Sequence, residues 1–316
     1  MAQPARKKIC LLICNSIPGL QPDKLKDWLA QMPELGIIAD IEPIFVFGKN
    51  AADVNHDTWS KLADIIFKRL ESCAGFVVLH GLDNLLFTTS ALSFMLQSLS
   101  KPVIFTGSQN ISNNSNDSKN LGIKANLINA IQVATSGVGE VGLMFGNRLL
   151  RANQATRAYG ESLNLFTAPE NAVLGRIDFS IRIFERLVYP HSDKVKFFRQ
   201  LNKKIEVINL SAVIDFDCLK KKLSGRDGVI INTGDYQGLP EDLVYTLSHS
   251  AKNMPVIIWS KEIRPSVLSP KNFLIINNMT WHATLVKFMW ALSQGKGVAK
   301  VKELMAQSIS GEIISE

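Results

Sequence analysis

A chain of 316 residues, 46% apolar and 20% charged, has the balance of a folded globular protein and the length of about two domains. That balance excludes a disordered chain, and no run approaches the ~20 apolar residues of a membrane span. The net charge of +7 is dispersed, its densest runs being Arg6–Lys8, Lys203–Lys204 and Lys220–Lys222. No RNA-binding or zinc-finger pattern accompanies them, so they read as solvated surface and not as a specific nucleic-acid site.

Ile9–Cys14 is a continuous apolar run of strand length that stops at Asn15, and Asn15–Gly19 reads as a turn. The run is too short for a secretion signal and lacks a small-residue cleavage site. Leu25, Trp28 and Leu29 give Asp23–Met32 helical spacing. Ile41–Phe47 is a second strand, Thr58–Leu70 a helix, and Gly75–His80 a third strand closed by Gly81. Thr88–Leu99 is expected as a helix with Thr88, Thr89 or Ser90 as its cap. Val103–Thr106 is a strand, Ser108–Asn120 a polar surface loop, Asn126–Thr135 a helix and Val141–Phe145 a strand. The string Gly137-Val138-Gly139-Glu140-Val141-Gly142 follows a helix and precedes a strand. A dinucleotide loop needs the reverse order, so this is a turn.

A basic stretch within 185–207 marks a boundary, which divides the chain into 1–188 and 206–316 with a linker over 189–205. Beyond it the alternation restarts. Strands are expected at Ile205–Ser211, Gly228–Asn232, Pro255–Ser260 and Phe273–Ile276. Helices are expected near Phe216–Leu223 and at Glu241–Ser250, Ala283–Leu292 (capped by Thr280 or His282) and Lys302–Ser308. This alternation predicts an α/β fold: a larger parallel-sheet domain followed by a smaller α/β domain. Ligand sites in such sheets lie beyond the carboxyl ends of the strands, which singles out 15–19, 80–84 and 107–110.

Four cysteines at no metal-binding spacing and five scattered histidines exclude a zinc site and fit a reducing compartment, so a cytoplasmic location is expected. His80, at a strand end, reads as a hydrogen-bonded structural residue. Ser16 stands in a turn without a G-x-S-x-G elbow.

The run 75–84, Gly-Phe-Val-Val-Leu-His-Gly-Leu-Asp-Asn, resembles the L-asparaginase segment G-F-V-[IV]-L-H-G-T-D-T. Residues 88–96 resemble its continuation in the type I, cytoplasmic branch. Lys101–Gln109 resembles K-P-V-I-V-T-G-S-Q, Gly146–Asn153 resembles N-N-R-L-Y-R-G-N, and Met279–Lys287 resembles D-M-T-x-E-A-T-L-x-K. The likeness is colinear, dense over 73–170 and thin after 190. It implies an asparaginase-like fold, a dimer or tetramer, and hydrolysis of asparagine to aspartate and ammonia without metal or organic cofactor. The implied ligand is small and amino-acid-like.

The implied catalytic residues depart from the family pattern. Ser16 stands at the nucleophilic Thr, with Asn15 replacing a glycine of T-G-G-T-I. Only fourteen residues separate Ile17 from Met32, which implies a shortened lid. Leu82 occupies the second catalytic Thr position, and a hydrocarbon neither donates nor accepts a proton. Asp83 is retained. Arg157 replaces the assisting Lys, keeping the charge but not the ability to deprotonate. Ala51 and Ala52 replace the hydroxyls of the carboxylate clamp, and His282 replaces a C-terminal Glu. Gly81 and Ser108 complete the implied ligand set. The resemblance thus implies an asparaginase-type amidohydrolase with activity reduced, altered or lost. The alternative is a non-catalytic pseudoenzyme that binds a small molecule or serves as an oligomeric scaffold.

Overall fold

The computed structural model describes residues 5–14, 22–47, 51–107, 116–158, 164–178, 180–190, 194–262, 270–295 and 297–315, the side chains of 51 and 116–121 excepted. The chain divides into two compact units, Met1–Arg199 and Gln200–Glu316.

The first unit opens on β1 (Lys8–Cys14), whose residues from Ile9 onward are all buried. A strand covered on both faces needs such an unbroken apolar run, because alternation would bury polar groups. Within the helix expected over Asp23–Met32 lies α1 (Leu25–Ala30), and a further, unexpected short helix, α2 (Pro33–Ile38), follows it. Pro33 separates the two. It has no N–H to donate, and Met32 before it takes φ −130° and ψ 68°, outside the helical region.

β2 (Asp40–Phe47) runs beside β1, and α3 (His56–Arg69) follows. Asn55 caps α3 reciprocally. Its side chain accepts from the N–H groups of Asp57 and Thr58, while Thr58 Oγ1 accepts from the Asn55 N–H. β3 (Gly75–His80) leads into α4 (Leu85–Met95), which starts three residues before the expected position. Thr88, Thr89 and Ser90 do not cap it. They lie buried inside it and donate to the carbonyls of Asn84 and Leu86. Such back-bonding satisfies a small hydroxyl where packing leaves no water.

The chain leaves α4 because β4 (Leu96–Gln97) pairs antiparallel with β12 (Lys196–Phe197). After β5 (Val103–Thr106), α5 (Asn116–Ala134) begins inside the stretch expected as a surface loop. Ser and Asn suit loops and helix starts alike. The buried positions Ile123, Leu127, Ala130, Ile131 and Ala134 carry the helical period through the rest. β6 (Val141–Phe145), β7 (Arg148–Arg151), β8 (Thr156–Arg157), β9 (Phe166–Thr167), β10 (Val173–Ile177) and β11 (Ile181–Ile183) complete the unit.

The large sheet has the order β11-β10-β7-β6-β5-β3-β1-β2. It is parallel from β2 to β6, and β7, β10 and β11 extend it antiparallel. Arg151 on β7 is buried and pairs bidentately with Glu140, at 2.8 and 3.0 Å. Both charges gain backbone partners: Arg151 donates to the Leu187 carbonyl, and Glu140 accepts the Tyr189 N–H. A charge pair removed from water persists only when satisfied in this way.

The second unit is a four-stranded parallel sheet in the order β13 (Ile205–Asn209), β14 (Gly228–Asn232), β15 (Val256–Trp259) and β16 (Phe273–Ile276). It carries α6 (Phe216–Leu223), α7 (Glu241–Ser250), α8 (Trp281–Gln294) and α9 (Val298–Ala306). Thr280, not His282, caps α8, accepting from the Ala283 N–H at 3.2 Å. Lys287 on α8 is fully buried against Glu312, with Nζ and Oε1 2.5 Å apart.

Three cysteines, Cys10, Cys14 and Cys73, are buried and Cys218 is exposed; all are free thiols. Burial pushes Cys10 up to about 12 and raises Cys14 further still. Thiols held protonated in this way are poor nucleophiles. Among the described residues no helix is long and apolar enough to cross a membrane, and no three His, Cys, Asp or Glu residues gather as metal ligands.

Candidate active site

β1 connects to β2 on one side of itself and the chain then crosses to β3 on the other. The direction of winding reverses there, and sheets wound this way leave a crevice beyond the strand ends where the connections diverge. Cys14 is in register with His80, and Leu79 with Thr106, so β1, β3 and β5 end side by side. The segments leaving these strands are those the sequence singles out. Asn15, Ser16 and Ser108 lie outside the described residues.

His80 ends β3 with no exposed surface. Its Nδ1–H donates to the Gly81 carbonyl at 2.6 Å, an oxygen that can only accept. Nε2 therefore carries the lone pair, and it has no hydrogen-bond partner among the described residues. Burial holds the imidazole below its ordinary value, against the opposing effects of the Gly81 hydrogen bond and the Asp83 charge. The ring is neutral at physiological pH and stands tilted on Phe105, with centroids 6.2 Å apart. Gly107, leaving β5, passes so close that a Cβ there would lie 2.3 Å from the His80 carbonyl oxygen. Asn126 ties this crossing down: its Nδ2 donates to the Gly107 carbonyl at 2.8 Å, and its Oδ1 accepts the Gly146 N–H at 3.1 Å.

Gly81 and Leu82 are half-buried and Asp83 is exposed. Asn84 closes the turn at φ 56°, a left-handed conformation that Asn tolerates better than most residues. Its Nδ2 reaches across to the carbonyls of Ala52 and Val54, at 3.1 and 3.4 Å. This tether brings the 3-10 turn Ala51–Asp53 against the turn after β3. Sequence reasoning gives Asn84 no role. An Asn directly before an apolar helical run is the signal that marks it, although it makes no cap bond here.

The structure thus gathers Gly81, Leu82, Asp83 and Ala52, with the backbone of Ala51 beside them. Arg157 is exposed on β8, which pairs with β9. No ion pair joins it to Asp83 among the described residues.

His282 belongs to the second unit, in the first turn of α8, and burial lowers its value to about 4. A free imidazole titrates near 6.5, so between these values the unfolded chain binds a proton that the folded chain refuses. Stability contributed by neutral His282 is complete above pH 6.5. It falls as pH drops towards 4, by up to about 1.4 kcal/mol per unit. Urea unfolding of His282→Gln across this range is expected to show a shallower pH dependence than the parent chain. Identical slopes would mean that His282 titrates normally.

This winding order, reversing between β1 and β3, defines a doubly wound α/β protein, a class in which ligands bind beyond the strand carboxyl ends. Residues 16–189 match the family model for the asparaginase N-terminal domain, more than half of the chain. The chain belongs to the asparaginase family, which supports an amidohydrolase-type function. It is 27% identical over 281 residues to L-asparaginase 1 of Escherichia coli, covering 84% of this chain and 82% of that protein. It is 23% identical over 292 residues to the L-asparaginase of Thermococcus kodakarensis, covering 87% of each. The crystal structure of L-asparaginase I from Vibrio cholerae superposes with a TM-score of 0.80 at 26% identity, covering 98% of this chain and all of that one.

Proposed function

We propose that this chain is an asparaginase-type amidohydrolase in which proton transfer is impaired, so that it binds an amino-acid-like amide and hydrolyses it slowly. The observation that carries this reading is Leu82. It sits half-buried in the turn after β3, beside Asp83, at the position where the family places a hydroxyl. Without a general acid or base the attacking hydroxyl keeps its proton and the leaving amine receives none. Such a loss costs about 10²- to 10⁴-fold in rate. In this reading Ser16 attacks the amide carbon and Asp83 holds the substrate ammonium group. Asn15, Gly81 and Ser108 line the ligand, Arg157 supplies positive charge without acting as a base, and the resemblance adds His282 at the position of the family's C-terminal Glu. No metal or organic cofactor takes part.

The purified chain should release ammonia slowly from asparagine, glutamine or a small amide, and Ser16→Ala should abolish that release. Turnover at a rate typical of enzymes, of about 10 per second or more, would refute the impairment. Ammonia release that survives Ser16→Ala would remove Ser16 from the mechanism.

A second reading, a non-catalytic binding protein or oligomeric scaffold, is favoured by Ala51 and Ala52. By the resemblance, alanines occupy the two positions at which the family carries hydroxyls for the substrate carboxylate. Thermal stabilisation by aspartate or asparagine without any ammonia release supports this reading over the first. The family resemblance further supports a dimer or tetramer and a cytoplasmic location. Light scattering that shows a monomer at micromolar concentration would sink the former.

A further inference from the structure

Gly36 lies inside α2, where a glycine weakens the helix relative to alanine. Neither usual reason for a glycine applies. It is absent from the left-handed residues, and a Cβ built on it would meet nothing within 4 Å. It borders open space instead, a hollow of about 530 Å³ at the amino ends of β1 and β2. This is the opposite edge of the sheet from the candidate active site. Leu29, Met32, Leu35 and Ile41 form apolar walls. Arg6 supplies the cation: its guanidinium donates to the Gly36 carbonyl, which holds it at the hollow, and it makes no ion pair among the described residues. Asp40 also borders the space. It shares a face of β2 with Glu42, opposite the face of Ile41 that walls the hollow.

An apolar hollow of this size with a cation held at its edge has the make-up of a small-molecule site. We propose that it binds a small organic acid, with an apolar body against Leu29, Met32, Leu35 and Ile41 and a carboxylate on Arg6. Calorimetry on the full chain with octanoate, octylamine and acetate tests this. Octanoate should bind saturably, and octylamine and acetate should not. Gly36→Leu, which fills the hollow, should abolish binding. Arg6→Gln, at an exposed position that does not threaten folding, should weaken it by about three- to tenfold. Absence of octanoate binding at millimolar concentration, equal binding of octylamine, or undiminished binding to Arg6→Gln would each overturn the proposal. A change of molar mass in Gly36→Leu would assign the hollow to a second copy of the chain, and would overturn it as well.

Discussion

Replacing Leu82 by Thr and Arg157 by Lys together is expected to raise ammonia release from asparagine by about 10²-fold, the lower end of what a positioned acid–base group contributes. Thr at 82 restores a hydroxyl beside Asp83 in a turn whose backbone is already held by the Asn84 tether to Ala52 and Val54. Lys at 157 restores, in the proposed reading, an amine that can give up its proton, which a guanidinium cannot do in a protein. The single variants should give little. The Thr alone has no amine to accept its proton, and the Lys alone has no hydroxyl to act through. The lower end of the range is chosen because Asn15 and the alanines at 51 and 52 remain. Steady-state ammonia assays of both singles and the double decide the matter. A folded double variant no faster than its parent would show that the defect lies elsewhere, in the segment around Ser16.

The second large effect concerns stability. Lys287→Met should destabilise the chain by about 3–5 kcal/mol, the cost of leaving one member of a buried ion pair alone. Lys287 Nζ donates to Glu312 at 2.5 Å and to the carbonyls of Gln307 and Met305 at 2.5 and 2.9 Å, so all three of its protons are used. Burial draws its value below the ordinary lysine range, and the Glu312 charge opposes that shift. Glu312 in turn accepts the N–H groups of Ile309 and Ser310. One ammonium and one carboxylate thus organise the last turns of the chain. Urea denaturation measures the loss. Lys287→Met combined with Glu312→Leu should be less harmful than Lys287→Met alone, because no bare charge remains. A single variant as stable as the parent would mean that water reaches the pair.

The second unit is the more legible from sequence. Gly228–Asn232, Phe273–Ile276 and Glu241–Ser250 are short patterned runs bounded by Gly, Pro or charged residues, and the observed elements have those bounds. α4 is harder to place because it is buried almost all round, small hydroxyls included, so its composition marks no phase. The antiparallel strands β7, β10 and β11 run only three to five residues each, and Arg148, Arg151, Arg176 and Arg182 interrupt any apolar pattern. At the site, the order of Gly81, Leu82 and Asp83 is a local fact and can be read directly. The bond from Asn84 to the Ala52 carbonyl spans 32 residues. It depends on β1, β2 and β3 being laid side by side, which no local pattern encodes. The placement of Arg157 has the same origin, since β8 pairs with β9.

The uneven burial of the cysteines gives the chain a built-in gauge of its own opening. In the native state Cys218 alone stands exposed to a sulfhydryl reagent, while Cys10, Cys14 and Cys73 are sealed in the first unit. Alkylation beyond one equivalent therefore counts excursions of the large sheet, separately from any loosening around α6.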